Sequence, residues 1–201
     1  MMDRGENRIQ PGASIEPQQL TTIRSERIRV PDHHWLIHLQ FRRFAGCPVC
    51  DLHLHSIVRR HQEILAASVR EVVVFHSRTQ ELLQHTGTLP FSVIADPEKK
   101  LYRAFGVDAS LSALLDPRVW PAILLGIGRS LGAIVLRKEP VPTLHPRGGR
   151  LGLPADFLIA TDGRVLACKY GTHAYDQWSV DGILDLAAQH QLKRTGSYGT
   201  R

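Results

Sequence analysis

The chain has 201 residues, 43% apolar and 22% charged, the composition of one soluble globular domain, which excludes wholesale disorder and an integral membrane protein. Its net charge of +6 is scattered in short pairs such as Arg42 with Arg43, and aromatics are only 6%, so no concentrated basic face with stacking residues points to nucleic acid. Three cysteines are too few for a disulfide framework and no apolar secretory run opens the chain; a reducing, cytoplasmic setting is expected, where a Cys-x-x-Cys pair is catalytic or metal-binding.

Residues 1–25 are polar and rich in Gly, Pro, Gln and Arg, which predicts a disordered tail ahead of a domain spanning 26–192. Residues 35–41 (WLIHLQF) read as the first core strand, leading straight into Gly46 and Cys47. A helix is predicted from Pro48 to about Ala67, with Leu54, Ile57, Val58, His61 and Leu65 on its apolar stripe and His55 opposite. The β-branched run 72–75 suits a buried parallel strand, and 79–85 a helix. Residues 91–95 give a further strand. Asp96-Pro97-Glu98 then supplies an N-cap, a first-turn proline and an acid for a helix ending near Phe105, at Gly106.

The segment 107–150 breaks the alternation with apolar runs at 111–115 and 122–136 and reads as a helical insertion. The stretch 120–136 is near the minimum length of a membrane span but carries Arg129 in its middle and three glycines, so no membrane is expected. Strands at 157–160 and 165–170 flank Asp162-Gly163, a hairpin signal. Ser179 caps a last helix to about His190, and 193–201 reads as a flexible tail. Alternating strands and helices of this kind make an α/β protein.

A strand that ends in Cys-x-x-Cys at the mouth of a helix places the first sulfur beside unpaired backbone N–H groups at the positive end of the helix dipole. Such a position favours thiolate over thiol and makes Cys47 the candidate nucleophile. Cys50, one turn on, is placed to attack a mixed disulfide or sulfenic acid on Cys47, and Pro48 is tolerated in a first turn. Two other readings stand beside this one, a pair of small buried residues and half of a zinc site. Structural zinc takes four ligands, often from a second Cys-x-x-Cys, which the chain lacks; His53 alone could approach Cys50, so no metal and no other cofactor is expected. Cys168 reads as a small hydrophobe in the second hairpin strand.

The block Phe41-Arg42-Arg43-Phe44-Ala45-Gly46-Cys47-Pro48-Val49-Cys50, with segments 96–107 and 153–163, resembles the peroxiredoxin-like branch of the alkyl hydroperoxide reductase and thiol-specific antioxidant (AhpC/TSA) family, over about residues 25–190. The resemblance implies a thioredoxin-like fold, a central mixed sheet flanked by helices, and an antioxidant thiol oxidoreductase. Its Cys47/Cys50 cycle would reduce peroxides or disulfides, with electrons from a cellular thiol reductant, and a homodimer is compatible with it. Gln40 and Phe44 stand where the family's Pro-x-x-x-Thr-x-x-Cys motif has its proline and threonine, and the family's activating arginine falls on Pro154. Arg43, with Arg42 and Arg150, offers substitute positive charge. Pro154 instead matches the proline that thioredoxins hold cis opposite their cysteines, which keeps a disulfide reductase as the alternative enzyme. A non-catalytic binding module on the same fold is the alternative from another class.

Overall fold

Runs of β-branched and aromatic residues set the strands, and the 3.6-residue stripes set the helices packed on them. The computed structural model describes residues 8–86, 88–107 and 153–196. In chain order these contain β1 (Gln18–Thr21), β2 (Arg27–Val30), β3 (Leu36–Arg42), α1 (Pro48–Arg59), α2 (His61–Ala66), β4 (Val69–Phe75), α3 (Thr79–Thr86), β5 (Ser92–Ala95), α4 (Lys100–Ala104), β6 (Ala155–Ile159), β7 (Val165–Tyr170) and α5 (Val180–Gly196). A five-stranded mixed sheet runs β5-β4-β3-β6-β7. β3, β4 and β5 are parallel, and β6 and β7 return antiparallel. The α/β, helix-flanked mixed sheet read from the sequence is the observed architecture.

All seven residues of β3 are buried, so both faces of the central strand are covered. Ile37, Leu39 and Phe41 point to one core, shared with Val72, Val74, Phe157 and, from the α4 segment, Tyr102 and Phe105. Phe41 stands edge-on to Tyr102 with ring centroids 4.9 Å apart, an arrangement that adds to the burial of both rings. The other face carries Leu36, with Val73 and Phe75, under Leu54 and Ile57 of α1, Ile64 of α2, Leu82 of α3 and Ile183 and Ala187 of α5. On that face β3 also presents His38, Gln40 and Arg42, all fully buried.

Four local expectations are corrected. Residues 8–25 are not a loose tail: Ile15 and Ile23 are buried, β1 pairs with β2, and the Ile15 N–H donates to the Gly163 carbonyl (2.9 Å). Few apolar residues suffice there because the backbone finds partners on the hairpin turn. The helix after the cysteines breaks at Arg60 (φ −114°, ψ 19°), whose guanidinium turns to Glu63 and Asp181. Asp96 does cap, but one turn later than its neighbours suggest: its carboxylate accepts the N–H groups of Lys100 and Leu101 (2.9 and 2.8 Å) after a turn through left-handed Lys99. At the other end, α5 runs to Gly196, past the boundary expected at 192 and into the segment read as a tail. The insertion at 107–150, its apolar stretch 120–136 and Arg150 lie outside the described residues, apart from Val107. Among the described residues no helix is long and apolar enough to cross a membrane.

Candidate active site

At the C-terminal end of β3 the chain leaves the sheet through a tight loop. The Cys47 N–H donates to the Phe44 carbonyl (3.2 Å), and Gly46 takes φ +71°. Side chains resist that conformation, and a Cβ on Gly46 would also crowd the His85 ring at 3.0 Å. The Ala45 N–H donates to Ser77 Oγ (3.0 Å), which ties the loop to the end of β4. Cys47 is the N-cap of α1, with Pro48 in the first turn, and its carbonyl accepts the Asp51 N–H (2.9 Å). The sequence-predicted placement of the motif at a strand-to-helix junction is what the structure has.

Both sulfurs are free thiols and both are deeply buried, Cys47 at 2% and Cys50 at 3% exposure, packed with Phe44 and Ala174. Arg43 is buried as well; its Nη1 lies 3.9 Å from Cys47 Sγ and its guanidinium covers the Phe44 ring. Cys50 donates its S–H to Cys47, and that bond, followed by burial, pushes the Cys50 thiol well above its ordinary value, with Arg43 pulling weakly the other way. His76, at the end of β4, donates its backbone N–H to the Arg43 carbonyl (3.3 Å). Burial, then the charge of Lys99, lower its imidazole to about 4, with the ring's own backbone pulling weakly the other way and Arg43 adding to the lowering, so it is neutral at physiological pH.

Arg42 goes elsewhere. Rather than charging the cysteine loop, its Nη2 donates to Asp156 Oδ1 and to Gln40 Oε1, each at 2.6 Å, and lies 3.2 Å from His53 Nε2. Asp156 Oδ1 is also 3.3 Å from His38 Nε2, while His38 Nδ1 meets Glu71 Oε2 at 2.7 Å, an oxygen that Gln40 also contacts. Burial opposes charge at His38, yet Glu71 and Asp156 outweigh it and raise the imidazole to about 9. At Asp156 burial is likewise outweighed by Arg42 and His38, which hold the carboxyl well below the usual range. Two cations therefore face two anions in a patch closed to water. His53, expected as the one histidine able to approach Cys50, is lowered well below its ordinary value by burial and by Arg42, and accepts from that arginine as a neutral ring.

This network gives stability a definite pH dependence. His38 is protonated in the fold up to about pH 9 but only to about 6.5 when unfolded, so its contribution is complete below pH 6.5 and is lost as pH rises through 9. The loss amounts to roughly 3 kcal/mol. Urea midpoints between pH 6.5 and 9.5 are expected to fall accordingly; a flat profile over that window would show His38 to be neutral between Glu71 and Asp156.

Pro154 is buried at the start of β6, its carbonyl accepting the Gly171 N–H (2.8 Å). The Leu153-Pro154 bond is trans, and the cis X-Pro bond among the described residues is Val30-Pro31. The thioredoxin-type reading of Pro154 therefore falls, and the close packing of its ring on Gly171 accounts for the residue structurally. Cys168 lies in β7 with its sulfur 3.4 Å from the Ile9 carbonyl, as a packing residue of the second core. Among the described residues no group of three His, Cys, Asp or Glu side chains is placed to hold a metal ion.

The family model for the AhpC/TSA antioxidant enzyme matches residues 56–173. The chain belongs to the AhpC/TSA family. It is thus a thiol-dependent oxidoreductase on a thioredoxin-like fold, and the matched segment begins after Cys50, so the cysteine pair rests on its own geometry. Among curated proteins none matches. Of solved structures, the peroxidoxin BcpB from Mycobacterium tuberculosis is 15% identical with a TM-score of 0.63, over 90% of this chain and 97% of that one. A protein from Chlorobium tepidum described as a thiol:disulfide interchange protein, DsbE, is 16% identical with a TM-score of 0.57, over 89% and 98%. The reduced 2-Cys peroxiredoxin of Plasmodium vivax is 13% identical with a TM-score of 0.60, over 92% and 84%. At these identities the likeness is one of fold.

Proposed function

We propose that the protein reduces small hydroperoxides through a Cys47/Cys50 dithiol-disulfide cycle. The observation that carries this reading is the burial of both sulfurs beside a buried arginine. Attack on a protein disulfide needs the nucleophilic sulfur in line with a bulky S–S bond, which a sulfur 2% exposed does not offer. A hydroperoxide brings only two oxygens to the sulfur. Cys50 is held toward its thiol form, so Cys47, with the Arg43 guanidinium beside it, is assigned as the nucleophile.

Cys47 thiolate attacks the terminal peroxide oxygen; the S–O bond forms as O–O breaks, sulfur is oxidised to sulfenic acid, and the leaving alkoxide or hydroxide takes a proton from water. Cys50 thiol then attacks that sulfur, forming the disulfide and releasing water. A cellular thiol reductant returns the pair to the dithiol.

The test is stopped-flow oxidation of the reduced protein by hydrogen peroxide, an organic hydroperoxide and a protein disulfide, compared side by side. Peroxide is expected to react on the order of 100-fold faster than with a free cysteine. A protein disulfide reacting faster than either peroxide would replace this reading with disulfide reduction.

A further inference from the structure

One buried side chain next to the cysteine loop packs without satisfying its polar atoms. His76 is 2% exposed, and neither ring nitrogen has a hydrogen-bond partner. Each buried polar atom left unpaired costs about 1–3 kcal/mol, so a ring unpaired at both nitrogens calls for a reason. Its backbone is tied to the loop that carries the reacting sulfurs. The His76 backbone joins that of Arg43, the next residue Ser77 holds the Ala45 N–H, and Arg43 reaches from there to Cys47 Sγ. Arg43 acts electrostatically on both His76 and Cys50. On the other side the imidazole stands edge-on to the Tyr102 ring, 5.8 Å between centroids, and the Tyr102 hydroxyl, which donates to the Arg42 and Val74 carbonyls, makes no hydrogen bond with either ring nitrogen.

We propose that His76 is a catalytic residue that hydrogen-bonds the hydroperoxide, donating its ring N–H to the oxygen that leaves as the O–O bond breaks. This rests on the peroxide reading and deepens it, since the family's threonine hydroxyl is replaced by Phe44 and another donor is needed. A neutral imidazole has one N–H and one lone pair. The N–H meets the developing negative charge on the leaving oxygen, while the lone pair accepts from a water or from the proton on the attacked oxygen. The imidazole ends the step as it began, and the departing oxygen takes its proton from solvent. The charged groups that face the ring are Arg43 from the cysteine loop and Lys99 ahead of α4; both keep it neutral, so that it acts as a dipole and not as a second cation. A preorganised donor in a water-poor site is worth about 100 to 1000-fold in rate.

The test uses His76→Leu, which keeps the buried volume, and His76→Gln, which restores an N–H donor. Stopped-flow oxidation by hydrogen peroxide is read together with alkylation of Cys47 by iodoacetamide, a reaction that needs the thiolate but no donor to a leaving oxygen. His76→Leu is expected to slow peroxide about 100-fold and alkylation by no more than about threefold, and His76→Gln to recover about tenfold of the loss. A His76→Leu protein that keeps its peroxide rate overturns the proposal, because the unpaired nitrogens then serve only bound water. Equal losses in both reactions also overturn it, since the effect would lie in the sulfur or the fold. Wild-type oxidation no faster than that of a free cysteine would remove the peroxide reading itself, a result that both substitutions leave distinguishable.

Discussion

Cys47→Ser is expected to abolish oxidation by hydroperoxide, whereas Cys50→Ser consumes one equivalent of peroxide and stops as a sulfenic acid on Cys47. The asymmetry follows from the helix terminus and the hydrogen bond between the sulfurs. Cys47 caps α1, where the first backbone N–H groups have no helical partner and favour an anion, and Arg43 adds a full charge 3.9 Å from the sulfur. Cys50 sits one turn inside, donates to Cys47, and is pushed up in consequence. Its thiol attacks only after oxygen has been transferred. In Cys50→Ser that attack is missing, so with one equivalent of peroxide a sulfenic acid probe should label one site per chain. Equal loss of the first oxidation in the two variants would overturn the division of roles.

The cysteine pair was legible because everything that defines it is local: a strand, a glycine, Cys-x-x-Cys and an amphipathic helix within about twenty residues. The same holds for the hairpin across Asp162-Gly163, where Gly163 takes φ +88° as such turns require. What stayed hidden is non-local. Residues 8–25 look too polar to order, and they order because backbone groups from Gly12 and Ile15 find partners on the 163–165 turn, which composition does not record. The network through His38, Gln40, Arg42, Glu71 and Asp156 draws on three strands that register side by side only in the sheet.

Its signal was nevertheless present: His38, Gln40 and Arg42 alternate with Ile37, Leu39 and Phe41, and the apolar runs that became β4 and β6 each contain one acid, Glu71 and Asp156. Period-two polarity in a strand is usually read as a solvent face. Here α1 and α5 cover that face, and charge balance between neighbouring strands is what allows it. His76 and His85 follow the same pattern, since each matters through what the fold lays against it and neither belongs to a motif. For Pro154 the sequence pointed the wrong way, because proline at the start of a strand is also the ordinary trans residue.

Asp156→Ala is expected to destabilise the fold by about 3–5 kcal/mol, the cost of stranding a buried charge whose partner has been removed. Two cations lose a partner in this case. Arg42 loses its 2.6 Å carboxylate bond with no water to replace it, and His38 keeps only Glu71. The Trp178 N–H, which donates to the other Asp156 oxygen (3.2 Å), also loses its acceptor at the approach to α5. Asp156→Asn keeps one acceptor oxygen, enough for Arg42 or for the Trp178 backbone N–H but not for both, and removes the charge, so it restores part of the hydrogen bonding and none of the ionic attraction. Urea denaturation of the three proteins at pH 6.5 reads both, and the pH dependence assigned to His38 should weaken together with Asp156. Removing Arg42 and Asp156 at once, as Arg42→Met with Asp156→Leu, is expected to recover most of the stability, because apolar groups of similar size serve a buried patch about as well as a matched ion pair. A loss below about 1 kcal/mol in Asp156→Ala would mean that water reaches Arg42 in the folded protein, and the closed, charge-balanced patch under α1 would have to be abandoned.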